Sequence, residues 1–174
     1  MDALYWCGIA MLFRAPHNAN PNECNMALVG VPHSSGNGTS ERDQHLGPRA
    51  VGNVSANGRR DHMNFELDPW KSCRINDLDN VPLTHMNDNE ISIQLITDYY
   101  AQIDASGTRP LSVGGDHSVT GGMLQALGGS QSKLTGGEPA CSLHFDAHTD
   151  CFSNMKHFLG AKKLAAHWAS YLMQ

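Results

Sequence analysis

The chain has 174 residues, enough for one domain with a buried core, and carries a net charge of −5. Charged residues are sparse at 17% and form no basic patch, which argues against a nucleic-acid partner. No stretch approaches the roughly 18 apolar residues of a membrane span, and the start at Met1–Gly8 lacks the basic residues of a signal peptide.

Residues 15–25, with Pro16, Pro21 and several asparagines, read as an extended loop. Met26–Val31 is a continuous apolar run, typical of a strand buried on both faces. The loop over 32–47 is rich in Gly, Ser and Asn and ends at Gly47-Pro48. Proline is favoured just inside a helix start, so a helix is predicted from Pro48 to about Ser55. Long loops at strand ends commonly carry function. Arg42 and His45 are candidates for shaping substrate access, and solvation explains them equally well.

Residues 57–72 are polar and irregular, and Arg74–Asp79 suits a short edge strand. From Asn89 to Asp104, Leu95, Ile96, Tyr99 and Ile103 recur at helical spacing, and Gly107 supplies the stop. A strand over 110–114, a helix over Ser118–Leu127, a glycine-rich loop over 128–137 and a strand over 141–146 follow. Gly160–Met173 reads as a final helix. This strand–helix alternation predicts an α/β fold with a parallel sheet and right-handed crossovers.

The most informative segment is Cys141–Asp150, which puts Asp146, His148 and Asp150 at every second position after an apolar run. Alternate side chains of an extended strand point one way, so the three project together. Carboxylate, imidazole and carboxylate on one side suit Mn²⁺ or a similar divalent ion. Asp and His also gather in turns and caps, but that does not explain their place at the end of a buried-looking strand. About thirty residues earlier, one βαβ unit away, Gly114-Gly115-Asp116-His117 closes another apolar run. The glycines allow a sharp turn, and His117 falls where a strand gives way to a helix, the usual place for ligands in open α/β sheets.

With these motifs the chain resembles the ureohydrolases, the family of arginase and agmatinase. The resemblance is carried by Gly-Gly-Asp-His-Ser at 114–118 and Asp-Ala-His-Thr-Asp at 146–150, and it extends from Gly8 onward. It implies a three-layer α/β/α fold with a parallel sheet, and hydrolysis of a guanidino compound to urea at a pair of metal ions. Manganese is the family default. The loop at 36–49, Leu159–Lys163 and Ala165–Tyr171 look most similar to the agmatinase-like branch, with guanidine hydrolase and guanidinopropionase-type enzymes, which leaves Ni²⁺ open. That loop departs from the usual agmatinase pattern, which has Pro-Gly where Asp43-Gln44 stand.

Carried over by position, the metal ligands are His117, Asp146, His148 and Asp150. The resemblance implies that Asp146 bridges the two metals, with His117 on one and His148 on the other. Asp150 would bind the first metal and orient the hydroxide that attacks the guanidino carbon. His167 best matches the family's proton-shuttle histidine, with His157 the competitor. His144 shares a face with Asp146 and is assigned to packing or support, and Asp116 to orienting the turn. His17, His33, His62 and His85 lie in loops and are expected to be solvated.

The family completes its metal pair with a later Asp-x-Asp motif, whereas no Asp or Glu follows Asp150 here. Residues 1–174 are therefore expected to be a single, partial ureohydrolase domain, and a catalytically incomplete fragment is the alternative to an active enzyme. A zinc deacetylase on a related fold is disfavoured by the carboxylate-rich motif. The expected partner is a small cationic guanidino substrate, and homo-oligomers (trimers or hexamers) are usual in the family. Cys7, Cys24, Cys73, Cys141 and Cys151 contain no Cys-x-x-Cys pair and are odd in number, which fits a reduced, cytoplasmic compartment. Cys151, next to a proposed ligand, reads as a small residue in a turn.

Overall fold

The computed structural model describes residues 7–37, 43–58, 61–85, 87–151 and 168–172. Arg42, His157 and His167 lie outside the described residues. A three-stranded sheet organises the rest, in the order β2–β1–β3. Its strands are β1 (Met26–Val31), β2 (Ile75–Asn80) and β3 (Arg109–Gly114), all parallel. Met26 stands opposite both Ile75 and Arg109, and Val31 opposite Gly114, so β1 and β3 end level with each other.

The apolar run of β1 serves two faces. Ala27, Val29 and Val31 join Leu78, Val81, Ile93, Ile96, Tyr100, Ile103 and Val119 in one core. Leu28 points the other way, against Leu12, Ala15 and Ile75, with Trp70 and Val113 packed alongside. Helices α3 (Asn89–Ser106) and α4 (Ser118–Leu127) cover the first face. Helix α1 (Gly47–Ser55) and the N-terminal segment cover the second, while the single turn α2 (Pro69–Ser72) brings in Trp70. The sheet is thus sandwiched between two layers, as the family resemblance implies. Gly30 makes the second layer possible, because a Cβ there would lie 1.9 Å from Asn80 Oδ1 and 3.0 Å from Pro48 Cβ.

Helix α3 begins where the Asp88 carboxylate accepts from the Ile91 N–H at 3.0 Å, and it ends at Gly107, whose φ of 78° is left-handed. Its buried stripe is Ile93, Ile96, Tyr100 and Ile103, rotated slightly from the predicted one, so that Leu95 and Tyr99 are only half-buried. The rotation follows from contact with α4, where Gly122 lets the helices close and Thr97 Oγ1 donates to the Gly122 carbonyl at 3.2 Å. Burying each of the four stripe residues stabilises the fold by about 1.5–3 kcal/mol. The outer edge of β2 is closed by the N-terminal segment. Asp77 N donates to the Pro16 carbonyl at 2.9 Å, and the buried Asp77 carboxylate accepts from Leu12 N at 2.8 Å. Beyond α3, the buried Asp104 carboxylate accepts from Ser132 Oγ, Lys133 N and Leu134 N at 2.8, 2.7 and 3.1 Å, which anchors the glycine-rich loop.

The predicted strand over 141–146 is absent. Those residues are exposed and make no ladder with β3, and Leu143 and Phe145 are 82% and 88% exposed. A parallel strand is normally covered on both faces by crossover helices. No described helix packs over Leu143 or Phe145, so their burial does not offset the entropy of ordering a strand. Of the final predicted helix, the described part is α5 (Trp168–Leu172). Among the described residues no helix is long and apolar enough to cross a membrane. All five cysteines are free.

Candidate metal centre

Strands β1 and β3 lie side by side, and their chains leave in opposite directions, β1 towards α1 on one face and β3 towards α4 on the other. The carboxyl ends at such a divergence are the position where open α/β sheets bind ligands. The turn after β3 is fixed tightly. A Cβ at Gly115 would lie 1.8 Å from the His33 carbonyl oxygen, so only glycine lets the two strand tips approach. Asp116 N donates to that same carbonyl at 2.9 Å. The Asp116 side chain is buried, with Oδ1 accepting from Ser118 N at 2.9 Å and Oδ2 from Gly36 N at 2.7 Å. Asp116 therefore ties the loop after β1 to the turn after β3 and sets His117 at the head of α4.

His33 is not solvated as expected for a loop histidine. It is fully buried, and its Nε2 lies 2.7 Å from Asn89 Oδ1 at the start of α3. The close approach of the strand tips carries its ring inward, a consequence of Gly115 and not of its own sequence neighbourhood. His17, His62 and His85 are exposed.

Although 141–146 is not a ladder strand, its side chains converge with His117. His117 Nδ1 lies 2.8 Å from Asp150 Oδ2 and 3.4 Å from Asp146 Oδ2. His144 Nε2 faces the same two oxygens at 3.6 and 3.8 Å. One ligand atom from each of His117, His144, Asp146 and Asp150 falls within 4.8 Å of the others. His148 stands apart from this group. It is turned to solvent, with its Nδ1 3.3 Å from Asp146 Oδ1.

Asp146 is held through that same Oδ1, which accepts from the His148 main-chain N–H at 2.7 Å. This hydrogen bond is the main cause that keeps the Asp146 carboxyl below the usual carboxylate range. Slight burial opposes it, and the neighbouring His117 and His144 assist it. Asp150 is buried and adopts a left-handed φ of 52°. Its conformation is set from α5, as Trp168 Nε1 donates to Asp150 Oδ2 at 2.9 Å and Ala169 N donates to the Asp150 carbonyl at 3.2 Å. The Trp168 ring lies 5.2 Å from the rings of both His117 and His144 and shields the cluster from one side.

The donor set fits a divalent transition ion. Two imidazole nitrogens and two carboxylate oxygens at this spacing match the preferences of Mn²⁺, Ni²⁺ or Zn²⁺. Of the residues singled out from the sequence, His117, Asp146 and Asp150 come together and His148 lies beside them. The sequence reading did not anticipate Trp168, and it placed His144 in support. The only signal for His144 was its position two residues before Asp146, and for Trp168 there was none.

The sequence profile of the arginase family matches residues 24–170. A guanidinopropionase from Pseudomonas aeruginosa is 35% identical over 88% of this chain and 45% of its own length. The human mitochondrial guanidino acid hydrolase is 33% identical over 82% of this chain and 38% of its length. In three dimensions the chain is similar to proclavaminate amidino hydrolase from Streptomyces clavuligerus, with a TM-score of 0.83 and 22% identity, over 98% of this chain and 53% of that one. The chain thus spans about half the length of the relatives it matches. With the family profile covering most of it, and with the fold and motif residues in place, the chain belongs to the arginase family.

Proposed function

We propose that these residues form the first half of the active site of a metal-dependent amidinohydrolase that releases urea from a guanidino compound. The observation that carries this reading is the convergence of His117 with Asp146 and Asp150 at the carboxyl edge of the sheet. His117, Asp146, His148 and Asp150 would hold the metal, as a binuclear Mn²⁺ site by family likeness, with Ni²⁺ the other choice. A bound divalent ion supplies an acidified water at neutral pH, which a resonance-stabilised guanidinium requires.

The chain's own groups orient the reaction. Asp150 is pinned through Oδ2 by His117 and Trp168, which leaves Oδ1 to accept a hydrogen bond from the attacking water and aim it at the guanidino carbon. Asp146 presents Oδ2 to the His117 side and Oδ1 to His148, an arrangement suited to bridging. His167, next to Trp168 in sequence, is proposed to hand a proton to the departing amine, a task suited to a histidine near its ordinary pKa of about 6.5. The names of the two curated relatives favour a guanidino acid as substrate.

The test is urea release from 3-guanidinopropionate, 4-guanidinobutyrate, agmatine and guanidine, after loading with Mn²⁺ or Ni²⁺. Turnover of a guanidino acid is expected. A metal-loaded protein that releases no urea from any of them rejects the enzymatic reading. Metal binding without turnover would instead favour the second reading, a catalytically incomplete fragment, which the half-length coverage of the relatives supports.

A further inference from the structure

We infer that His33 is a positioning residue for the metal centre: its buried ring, bonded to the head of α3, holds the turn after β3 so that His117 faces Asp146 and Asp150. The inference rests on the metal-dependent reading above and adds to it a residue outside the ligand cluster.

His33 joins three elements. Its main-chain N–H donates to the Val31 carbonyl at 2.9 Å, which turns the chain sharply at the end of β1. Its carbonyl accepts from Asp116 N at 2.9 Å, one residue before His117. Its Nε2 meets Asn89 Oδ1 at 2.7 Å, at the first residue of α3, and Asn89 is buried as well. The peptide that receives Asp116 is thus held by β1 through the backbone and by α3 through the ring. Gly115 is pressed against the same peptide, where a Cβ would lie 2.8 Å from both the nitrogen and the carbonyl carbon of His33. At that closeness a shift of the His33 peptide passes to the turn, and from the turn to His117.

Burial alone does not explain a histidine here. Asn89 Oδ1 only accepts, so Nε2 carries the ring proton and Nδ1 keeps a lone pair. That Nδ1 is buried and has no hydrogen-bond partner among the described residues. A buried acceptor without a donor weakens the fold, and an apolar ring of similar size would avoid that loss. What the imidazole supplies beyond volume is the bond to Asn89, whose direction sets the ring and the peptide behind it. Helix α3 is fixed in the core by Ile93, Ile96, Tyr100 and Ile103, so the bond refers the His117 turn to that core.

Co²⁺ titration of wild type, His33→Ala, His33→Gln, Asn89→Ala and, as a control, Ile96→Ala tests the assignment, with visible absorption recorded. Loss of an outer hydrogen-bond partner lowers metal affinity by about 10–100-fold. His33 acts one step further out, through the turn, so His33→Ala and Asn89→Ala should each weaken Co²⁺ binding by about tenfold and alter the absorption band. His33→Gln returns an amide donor to the place of Nε2 and should bind like wild type. Ile96→Ala opens a cavity in the same core and should keep the wild-type affinity and spectrum, which separates positioning from general loosening. Wild-type affinity and spectrum in His33→Ala or Asn89→Ala overturn the assignment and leave the metal-dependent reading intact. So does a His33→Gln protein as weak as His33→Ala, because the loss would then follow ring volume, and so does an equal loss in Ile96→Ala. A wild type that binds no Co²⁺ overturns both readings. Should His33→Ala fail to fold, Asn89→Ala, which keeps the buried ring, decides alone.

Discussion

The two flanks of β1 are built differently. Towards β2 and α3 the chain is held by burial. Ile93, Ile96, Tyr100 and Ile103 are sealed, and the Tyr100 hydroxyl meets Ser112 Oγ in a setting where burial pushes its pKa far up. Beyond β3, residues 138–149 are exposed and are organised by short polar contacts around one cluster. The first flank is rigid because apolar area is removed from water. The second takes its shape from the groups that would bind a cation, so its order should respond to metal and the first flank's should not. That difference separates scaffold from site in this molecule.

The largest effect that can sharpen this contrast lies on the first flank. Ile96→Ala removes a fully buried side chain between the sheet and α4, and should cost about 3–4 kcal/mol in denaturant unfolding. The loss should be the same with and without Mn²⁺ once the metal's own stabilisation of wild type is subtracted. A loss that changes with metal would show that the two flanks are coupled and break the contrast.

Asp104 should give a smaller effect, of electrostatic origin. Burial alone would raise its pKa, but the Lys133 and Leu134 N–H groups, Ser132 Oγ and the Lys133 charge outweigh that and leave it below the ordinary value. A carboxyl depressed on folding contributes stability that is complete above its unfolded pKa of about 3.9 and fades as pH falls through the lower folded value. Wild type should therefore loosen at the 128–137 loop below about pH 4. Asp104→Ala should lose about 2 kcal/mol near neutrality and show a flatter acid limb, because the buried Ser132 hydroxyl and the Lys133 and Leu134 N–H groups lose their acceptor. Hydrogen exchange at Lys133 and Leu134 reports both.

Trp168→Phe keeps an aromatic ring, though a smaller one, and removes the N–H that pins Asp150. Metal affinity should drop by about tenfold, the effect of losing an outer hydrogen-bond partner, beyond any loss of packing that the unfolding midpoint of the metal-free protein records, since Trp168 is buried. An unchanged affinity would mean that Asp150 is positioned by its left-handed backbone alone.

Legibility in the sequence followed the same divide. Met26–Val31 could be read as a buried strand and Asn89–Ser106 as a helix because local pattern decides them, with an unbroken apolar run in one and helical periodicity closed by Gly107 in the other. Among the motif residues, His117 was legible from the glycine turn that precedes it and Asp146 and Asp150 from their residue type and close spacing, but alternation does not persist without a ladder, since Asp150 is left-handed and His148 stands apart. His33 was not legible, since its burial depends on Gly115 and Asn89, 56 residues away from it in the second case. The 141–146 run was misread for a related reason. Its residues have strand-like character, but a strand also needs neighbours to cover it, and no local pattern records whether they are there.

Phe145 provides the smallest expected effect and the most direct test of that last point. Its ring is 88% exposed, one residue from Asp146, in a stretch whose apolar residues would face a core if the strand were covered. Exposed substitutions away from special features change stability by about 0.5 kcal/mol or less, so Phe145→Ser should be nearly silent in unfolding and Leu143→Ser likewise. Burying a phenylalanine is worth about 1.5–3 kcal/mol, so a loss of that size would show the ring covered in solution. The segment would then belong to the scaffold, and the cluster would be held by packing as well as by its own polar contacts.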